Sequence, residues 1–171
     1  MLFRSNYHIG PHRLFEMWRR GVDVGLGTDG AASWGPLDIF QVMHAARIGQ
    51  QAVMGTPIAY RNVMQCEEIL KVATNGGARA LGMEKEIGSL EVGKKADLLL
   101  VDRTALDQGP LFDIYFVAAN LVTGRDVRTV VIDGNVVMKD RELLTLDREE
   151  IDRRLAERLP GLMARFDEIA R

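Results

Sequence analysis

Few residues in this chain can do chemistry. Asp29 stands in Gly27-Thr-Asp-Gly-Ala-Ala-Ser-Trp-Gly, a run of small residues directly after the apolar stretch Val22-Asp-Val-Gly-Leu. A carboxylate in a loop at the carboxyl end of a buried strand can meet a metal ion or accept a proton. The same residue can also form an Asx-turn or cap a helix, and spacing alone leaves both readings open. The histidines are three: His8, His12 and His44. His8 and His12 are four apart, but Gly10-Pro11 lies between them and breaks any helix that would put both on one face. His44, among Met43, Ala45 and Ala46, reads as structural. Whatever metal chemistry the chain does, it does not supply a histidine-rich site alone. Cys66 precedes Glu67-Glu68 at a helix start, where the dipole could lower its pKa, but no histidine is adjacent in sequence and the thiol reads as non-catalytic.

Gly25-Leu-Gly-Thr-Asp-Gly satisfies G-x-G-x-x-G, the dinucleotide fingerprint. Its context is wrong. The third glycine of such a loop lies inside the helix that holds the pyrophosphate, whereas here the helix is expected to open only at Pro36. The acidic residue expected about 20 positions on is replaced by Arg47-Ile-Gly-Gln-Gln-Ala, and Asp29 would set a carboxylate against the diphosphate.

These residues need elements to position them. Pro11 opens a short helix with Leu14, Phe15, Met17 and Trp18 inward and Gly21 as its stop. Val22 to Leu26 follows as a strand, and a second helix runs from Pro36 to about Val53, with Leu37, Phe40, Met43 and Arg47 at helical spacing. Strand, polar loop and helix make half of a βαβ unit. A helix over Cys66 to Ala73 is expected to end at Asn75-Gly-Gly, before Ala78-Arg-Ala-Leu-Gly turns once more. After Gly88 the chain becomes β-rich. Leu98 to Val101 reads as a strand, and Val127-Arg-Thr-Val-Val-Ile-Asp-Gly-Asn-Val-Val-Met as a hairpin with a type I′ turn at Asp133-Gly134. Asp147 and Glu150 then mark a helix start, with Ile151, Leu155 and Leu159 spaced by four, Pro160-Gly161 as a break, and a shorter helix through Ile169. The expected division is 1–85, 86–140 and 141–171.

The 171 residues suffice for one domain with an appendage, and 47% hydrophobic content excludes wholesale disorder. Lys plus Arg number 22 against 24 for Asp plus Glu, with no basic block, so nucleic acid is not an expected partner. One cysteine excludes a disulfide framework and fits a reducing compartment. No apolar run is long enough for a membrane span, and Met1 to Arg4 makes no signal peptide, so no membrane partner and a cytoplasmic location are expected.

Four motifs in order carry a resemblance: Ser5-Asn-Tyr-His-Ile-Gly-Pro; Gly21-Val-Asp-Val-Gly-Leu-Gly-Thr-Asp-Gly-Ala-Ala-Ser; Ala73-Thr-Asn-Gly-Gly-Ala-Arg-Ala-Leu-Gly; and Ile87-Gly-Ser-Leu-Glu-Val-Gly-Lys-Lys-Ala-Asp-Leu-Leu-Leu-Val-Asp. With Val127-Arg-Thr-Val-Val-Ile-Asp-Gly they resemble the carboxyl-terminal part of the amidohydrolase superfamily, in its chlorohydrolase, guanine deaminase and adenosylhomocysteine deaminase branch. The resemblance implies an α/β fold: the last strands and helices of a metal-dependent (β/α)₈ barrel, a small β-sandwich module built from both chain ends, and here a C-terminal helix. It places Asp29 on the aspartate that follows the eighth strand, as metal ligand and proton shuttle. A divalent metal, zinc or sometimes iron, lowers the pKa of its bound water so that hydroxide exists at neutral pH. Asp29 would accept a proton as that hydroxide attacks an amidine-like ring carbon of a small N-heterocyclic substrate, then return it to the leaving ammonia or amine.

By the same resemblance Gly30 and Ser33 help select substrate, although Ser33 is also a candidate to cap the following helix, the reading its residue type favours. Trp34 stands where relatives often carry asparagine, which suggests an aromatic pocket wall or a packing anchor. Ser5 and Asn6 match the end of the seventh strand, with Phe3-Arg4 where relatives show Cys-Pro. A complete barrel needs roughly 250 residues, so the chain is expected to be the last third of such an enzyme, with metal absent or weakly held in isolation. The alternative is a catalytically silent module that self-associates, as a homo-oligomer, or binds a partner.

Overall fold

The computed structural model describes residues 13–31, 35–54, 63–104 and 113–169. Helix α1, Leu14–Arg19, buries Leu14 and Phe15. It stops where expected: Gly21 takes φ +74, its N–H donates to the Trp18 carbonyl, and the Val22 N–H donates to that of Met17. That pair of bonds is a Schellman end, and the left-handed residue it needs is a glycine. Helix α2, Ile39–Met54, buries Phe40, Val42, Met43, Ala46 and Gln50.

The expected start of α2 at Pro36 needs correction. Asp38 Oδ1 accepts from the N–H groups of Phe40 at 2.9 Å and Gln41 at 3.4 Å, so the carboxylate satisfies first-turn donors and sets the start at Ile39. Ser33, proposed as that cap, is not needed for it and lies outside the described residues. The other carboxylate oxygen, Oδ2, accepts from the Gly124 N–H at 2.8 Å, so one side chain both caps α2 and anchors a 3₁₀ turn, Gly124–Asp126.

Gln50 is 2% exposed, and its Oε1 accepts from the Phe15 N–H at 3.0 Å. That N–H belongs to the first turn of α1 and has no partner within its own helix. Replacing Gln50 by leucine would leave a buried donor unsatisfied, a cost of about 1–3 kcal/mol. Urea unfolding should show it as a lower midpoint at unchanged m-value, and a change under about 0.5 kcal/mol would contradict this account.

Helix α3, Cys66–Lys71, opens with a capping box between Gln65 and Glu68. The expected end at Asn75-Gly-Gly does not occur. The helix passes through a π turn, Val72–Gly76, and continues as α4, Gly77–Ala80. Its true end is a second Schellman arrangement at Gly82, φ +70, where Met83 N–H reaches the Ala78 carbonyl at 2.8 Å.

Beyond it lies one antiparallel sheet in the order β1-β2-β3-β4: Leu98–Val101, Val127–Ile132, Asn135–Lys139 and Glu142–Leu143. Asp133 and Gly134 have φ 50 and 77, the positive pair a type I′ hairpin requires. The Asp133 N–H also donates to Asp97 Oδ1 at 2.6 Å, which ties the turn to the entry of β1. Asp140 and Arg141 repeat the positive pair between β3 and β4 without a glycine. Among the described residues this is the only sheet, so the fold is α/β with an open, partial sheet.

The Asp102 carboxyl is held below its ordinary value, chiefly by the Thr104 hydroxyl at 2.7 Å, then by the Thr104 N–H at 3.0 Å, with Arg141 adding attraction. A depressed folded pKa contributes stability above the unfolded value that disappears as pH falls through the folded one. Thr104→Val should move the Asp102 titration upward toward ordinary aspartate in a carboxyl NMR titration; an unmoved midpoint would contradict that cause.

Helix α5, Ile114–Asn120, is capped by Asp113, which accepts from the N–H groups of Tyr115 and Phe116. The long helix α6, Arg148–Ile169, starts with Asp147 accepting from the Glu150 N–H at 3.0 Å, as expected. The break expected at Pro160 is absent, and the helix is continuous. Pro160 removes one backbone bond, and since its surroundings on α6 are exposed, the freed carbonyl can be hydrated.

The core centres on Met43, Met64, Ile69 and Val72, all fully buried, with Val24, Val117 and Val127 in the same cluster; Val42 is buried as well.

Candidate functional site

Asp29 lies at the end of the segment that follows α1. The strand expected over Val22 to Leu26 is not formed as a ladder: among the described residues Asp23 to Thr28 make no backbone hydrogen bond. A parallel strand exists only through its neighbours, and the described part of the chain supplies none. The segment is nonetheless fixed. Val24 is buried, and Leu26 packs against the core. Asp23 pairs with Arg79 at 3.0 Å, and the Arg79 guanidinium lies 5.3 Å over the Trp18 ring.

Glycine backbones set the depth. A Cβ on Gly25 would come within 2.8 Å of Gly77 Cα, and one on Gly76 within 2.5 Å of the Val24 carbonyl oxygen. Gly25 is therefore a packing glycine, which explains the fingerprint-like spacing without a phosphate. The π turn brings Gly76 to this contact. Gly88, φ +94, closes on the other side, where a Cβ would lie 2.7 Å from that of Ala78.

At the end of this clamped segment Asp29 takes φ 58 and is exposed. A non-glycine residue in left-handed conformation costs about 1–2 kcal/mol, with Asp and Asn the tolerant types. The Thr28 hydroxyl donates to the Asp29 carbonyl at 3.2 Å, leaving the carboxylate without a hydrogen-bonded partner among the described residues. Gly30 is exposed beside it. Ser33 and Trp34 lie outside the described residues, as do Ser5, Asn6, His8 and His12, so Asp29 and Gly30 are the site residues that can be placed.

The other candidates are structural. His44 is half-buried on α2. Cys66 Sγ accepts from Asn120 Nδ2 at 3.4 Å, while Asn120 Oδ1 accepts from Arg47 Nη1 at 3.0 Å, a bridge that joins α2, α3 and α5. An apolar cleft of about 520 Å³ opens between α2, the π turn and the sheet, lined by Ile39, Met43, Leu70, Leu98 and Val130 among others; Asp29 does not reach it.

Among the described residues no group of three or more His, Cys, Asp or Glu could hold a metal ion. Tightly held zinc takes at least three protein ligands. Asp29 is a donor in search of others, and the described residues do not by themselves fit the ion. The residues that sequence reasoning missed are Gly76, Gly77 and Arg79, the clamp beneath the loop. The available signal was Asn-Gly-Gly inside an otherwise helical run.

The motifs around Asp29 resemble the amidohydrolase superfamily, and the comparisons agree. The amidohydrolase family profile matches residues 4–137, and the chain belongs to that family. Within it the similarities fall in the deaminase and chlorohydrolase branch. The chain is 44% identical over 147 residues to a 5-methylthioadenosine/S-adenosylhomocysteine deaminase of Moorella thermoacetica, covering 84% of this chain and 33% of that protein. It superposes with TM-score 0.82 and 33% identity on an adenosine deaminase of Xanthomonas campestris solved with bound zinc, over 88% of this chain and 33% of that one. An atrazine chlorohydrolase of Arthrobacter aurescens shares the fold at TM-score 0.76 and 24% identity, over 92% of this chain and 34% of that one. The chain thus spans about a third of the length of these relatives. No helix among the described residues is long and apolar enough to cross a membrane.

Proposed function

We propose that this chain is the carboxyl-terminal, Asp29-bearing part of a metal-dependent hydrolase that acts at the amine-bearing or chloride-bearing carbon of amidine-like N-heterocycles. The observation that carries the reading is Asp29 itself, a non-glycine residue at φ 58 on the end of a segment held by three glycine backbones. Strain of this kind persists where the surrounding structure enforces it, and it concentrates at functional sites. A divalent metal, zinc by preference, would acidify a bound water when the remaining ligands are present. Asp29 would be one ligand of that metal and would take a proton from the attacking water and return it to the departing nitrogen. Relatives named as deaminases of 5-methylthioadenosine and S-adenosylhomocysteine support a 6-aminopurine nucleoside as substrate. Gly30, at whose Cβ position no described residue comes within 4 Å, leaves room beside the carboxylate, and Ser33 and Trp34 are the further substrate-selecting residues of this reading. Residues 1–85 belong to the barrel, 86–140 to the β module and 141–171 to the tail, and the whole assembles as a homo-oligomer in the cytoplasm.

A second reading holds for the 171 residues alone. In it the chain is a non-catalytic α/β module that acts through self-association or a partner.

The test is a chimera in which the upstream two-thirds of the Moorella relative is fused to this chain. Zinc bound near one equivalent and ammonia released from 5-methylthioadenosine are the expected results. Zinc without turnover of any 6-aminopurine nucleoside would overturn the substrate class, and a folded chimera without zinc would overturn the metal role of Asp29.

A further inference from the structure

We propose that Asp38 is a positioning residue for the turn that follows Asp29: it straps the far end of that turn to the 3₁₀ turn Gly124–Asp126 and so holds the substrate side of the site from the β module. The inference rests on the proposed function, which places substrate at Gly30.

The Gly35 N–H donates to the Ala31 carbonyl at 2.9 Å, and Gly35 takes φ +103, so the chain closes a turn directly after Gly30. Only Pro36 and Leu37 separate this turn from Asp38. The ring of Pro36 fixes its φ and stiffens the link. Leu37 is 67% exposed and is not held by packing, so the nearest fixed point among the described residues is Asp38. Both oxygens of its carboxylate are engaged. Oδ1 accepts from the N–H groups of Phe40 and Gln41, and Oδ2 from Gln41 Nε2 at 3.0 Å and the Gly124 N–H at 2.8 Å. A helix cap needs one side-chain oxygen; the second reaches a partner 86 residues away. That partner is held in turn. Asp126 Oδ2 accepts from the Thr123 N–H at 2.8 Å and the Thr123 hydroxyl at 3.0 Å, and the Asp126 carbonyl accepts from the Asp102 N–H at 2.7 Å, just past β1. Hydrogen bonds thus run from the sheet through Gly124 and Asp38 to the turn. Asp29 does not depend on this strap, because its own segment is clamped at Gly25 and Gly76. Loss of the strap should therefore reach substrate binding before it reaches zinc or proton transfer.

The test uses the zinc-loaded chimera with isotopically labelled glycine and phenylalanine, as wild type, Asp38→Ser and Asp38→Asn. Serine caps a helix but is too short to serve Gly124 as well, and asparagine has one accepting oxygen for the two tasks. Both variants should let the Gly124 and Gly35 amides exchange on the order of 10-fold faster while the Phe40 amide keeps its protection. KM for 5-methylthioadenosine should rise about tenfold with kcat and zinc content nearly unchanged. Gly35 protection that is unchanged in both variants overturns the inference, and so does a released turn with an unchanged KM. Parallel loss of zinc and kcat would mean that Asp38 supports the fold as a whole, which overturns it too. A wild-type chimera that turns over no 6-aminopurine nucleoside sinks the functional reading instead, and the exchange of Gly35 then decides the positioning role by itself.

Discussion

Asp29→Asn in the zinc-loaded chimera should lower kcat/KM for 5-methylthioadenosine by about 10² to 10⁴, the range that a positioned acid–base group contributes, with the thermal midpoint nearly unchanged. The choice of asparagine matters. At φ 58 most side chains add strain, whereas Asn shares with Asp a tolerance of the left-handed region. Shape and backbone survive, and the amide can neither take up the proton nor supply an anionic oxygen to a metal. Asp29→Val separates the two contributions, because a β-branched residue at this φ destabilises the loop as well as removing the carboxylate. If the Asn variant keeps more than about a tenth of the activity, the Asp29 carboxylate is neither the proton carrier nor a metal ligand of this reaction.

Much of this architecture was legible in residue order because the signals were local. Gly21 stops a helix, Asp133-Gly134 turns a hairpin, and Asp147 caps α6; in each case one residue within a turn of the event determines it. Asp29 was legible as a loop carboxylate, but the role proposed for it rests on the order of four motifs, since one Asp after an apolar stretch does not distinguish a ligand from a turn. What was not legible depends on partners distant in sequence. Pro36 looked like a helix start because the competing cap, Asp38, gains its second partner from Gly124, 86 residues away. The segment Val22 to Leu26 has the composition of a strand, and composition cannot say whether a neighbour is present to ladder with it. Pro160 looked like a break because the rule assumes packing or solvent on one side, and α6 is exposed nearly throughout. The turn at Asp140-Arg141 carries no glycine, so nothing in its residue types announced it.

The clamp under Asp29 was misread most completely, and it makes the sharpest stability prediction. Asn75-Gly-Gly carries the composition of a helix stop, yet the helix runs on, so both glycines sit at helical dihedrals where alanine is intrinsically better by about 0.8–1.0 kcal/mol. By propensity alone Gly76→Ala and Gly77→Ala should both stabilise. Their surroundings split them. A methyl on Gly77 meets no described residue within 4 Å, while one on Gly76 falls 2.5 Å from the Val24 carbonyl oxygen, 3.2 Å from that of Lys71 and 3.5 Å from the Trp18 ring. The first two obstacles are backbone, one of them the segment that carries Asp29, so relief requires moving that segment away from the helix. Gly77→Ala should therefore raise Tm by about 2–4 °C, and Gly76→Ala should cost about 2–4 kcal/mol and lower Tm by roughly 5–15 °C. Opposite signs at adjacent positions of one helix cannot come from propensity. Equal, small effects from the two would mean that Val24 does not approach the π turn, and the support beneath Asp29 would have to lie elsewhere.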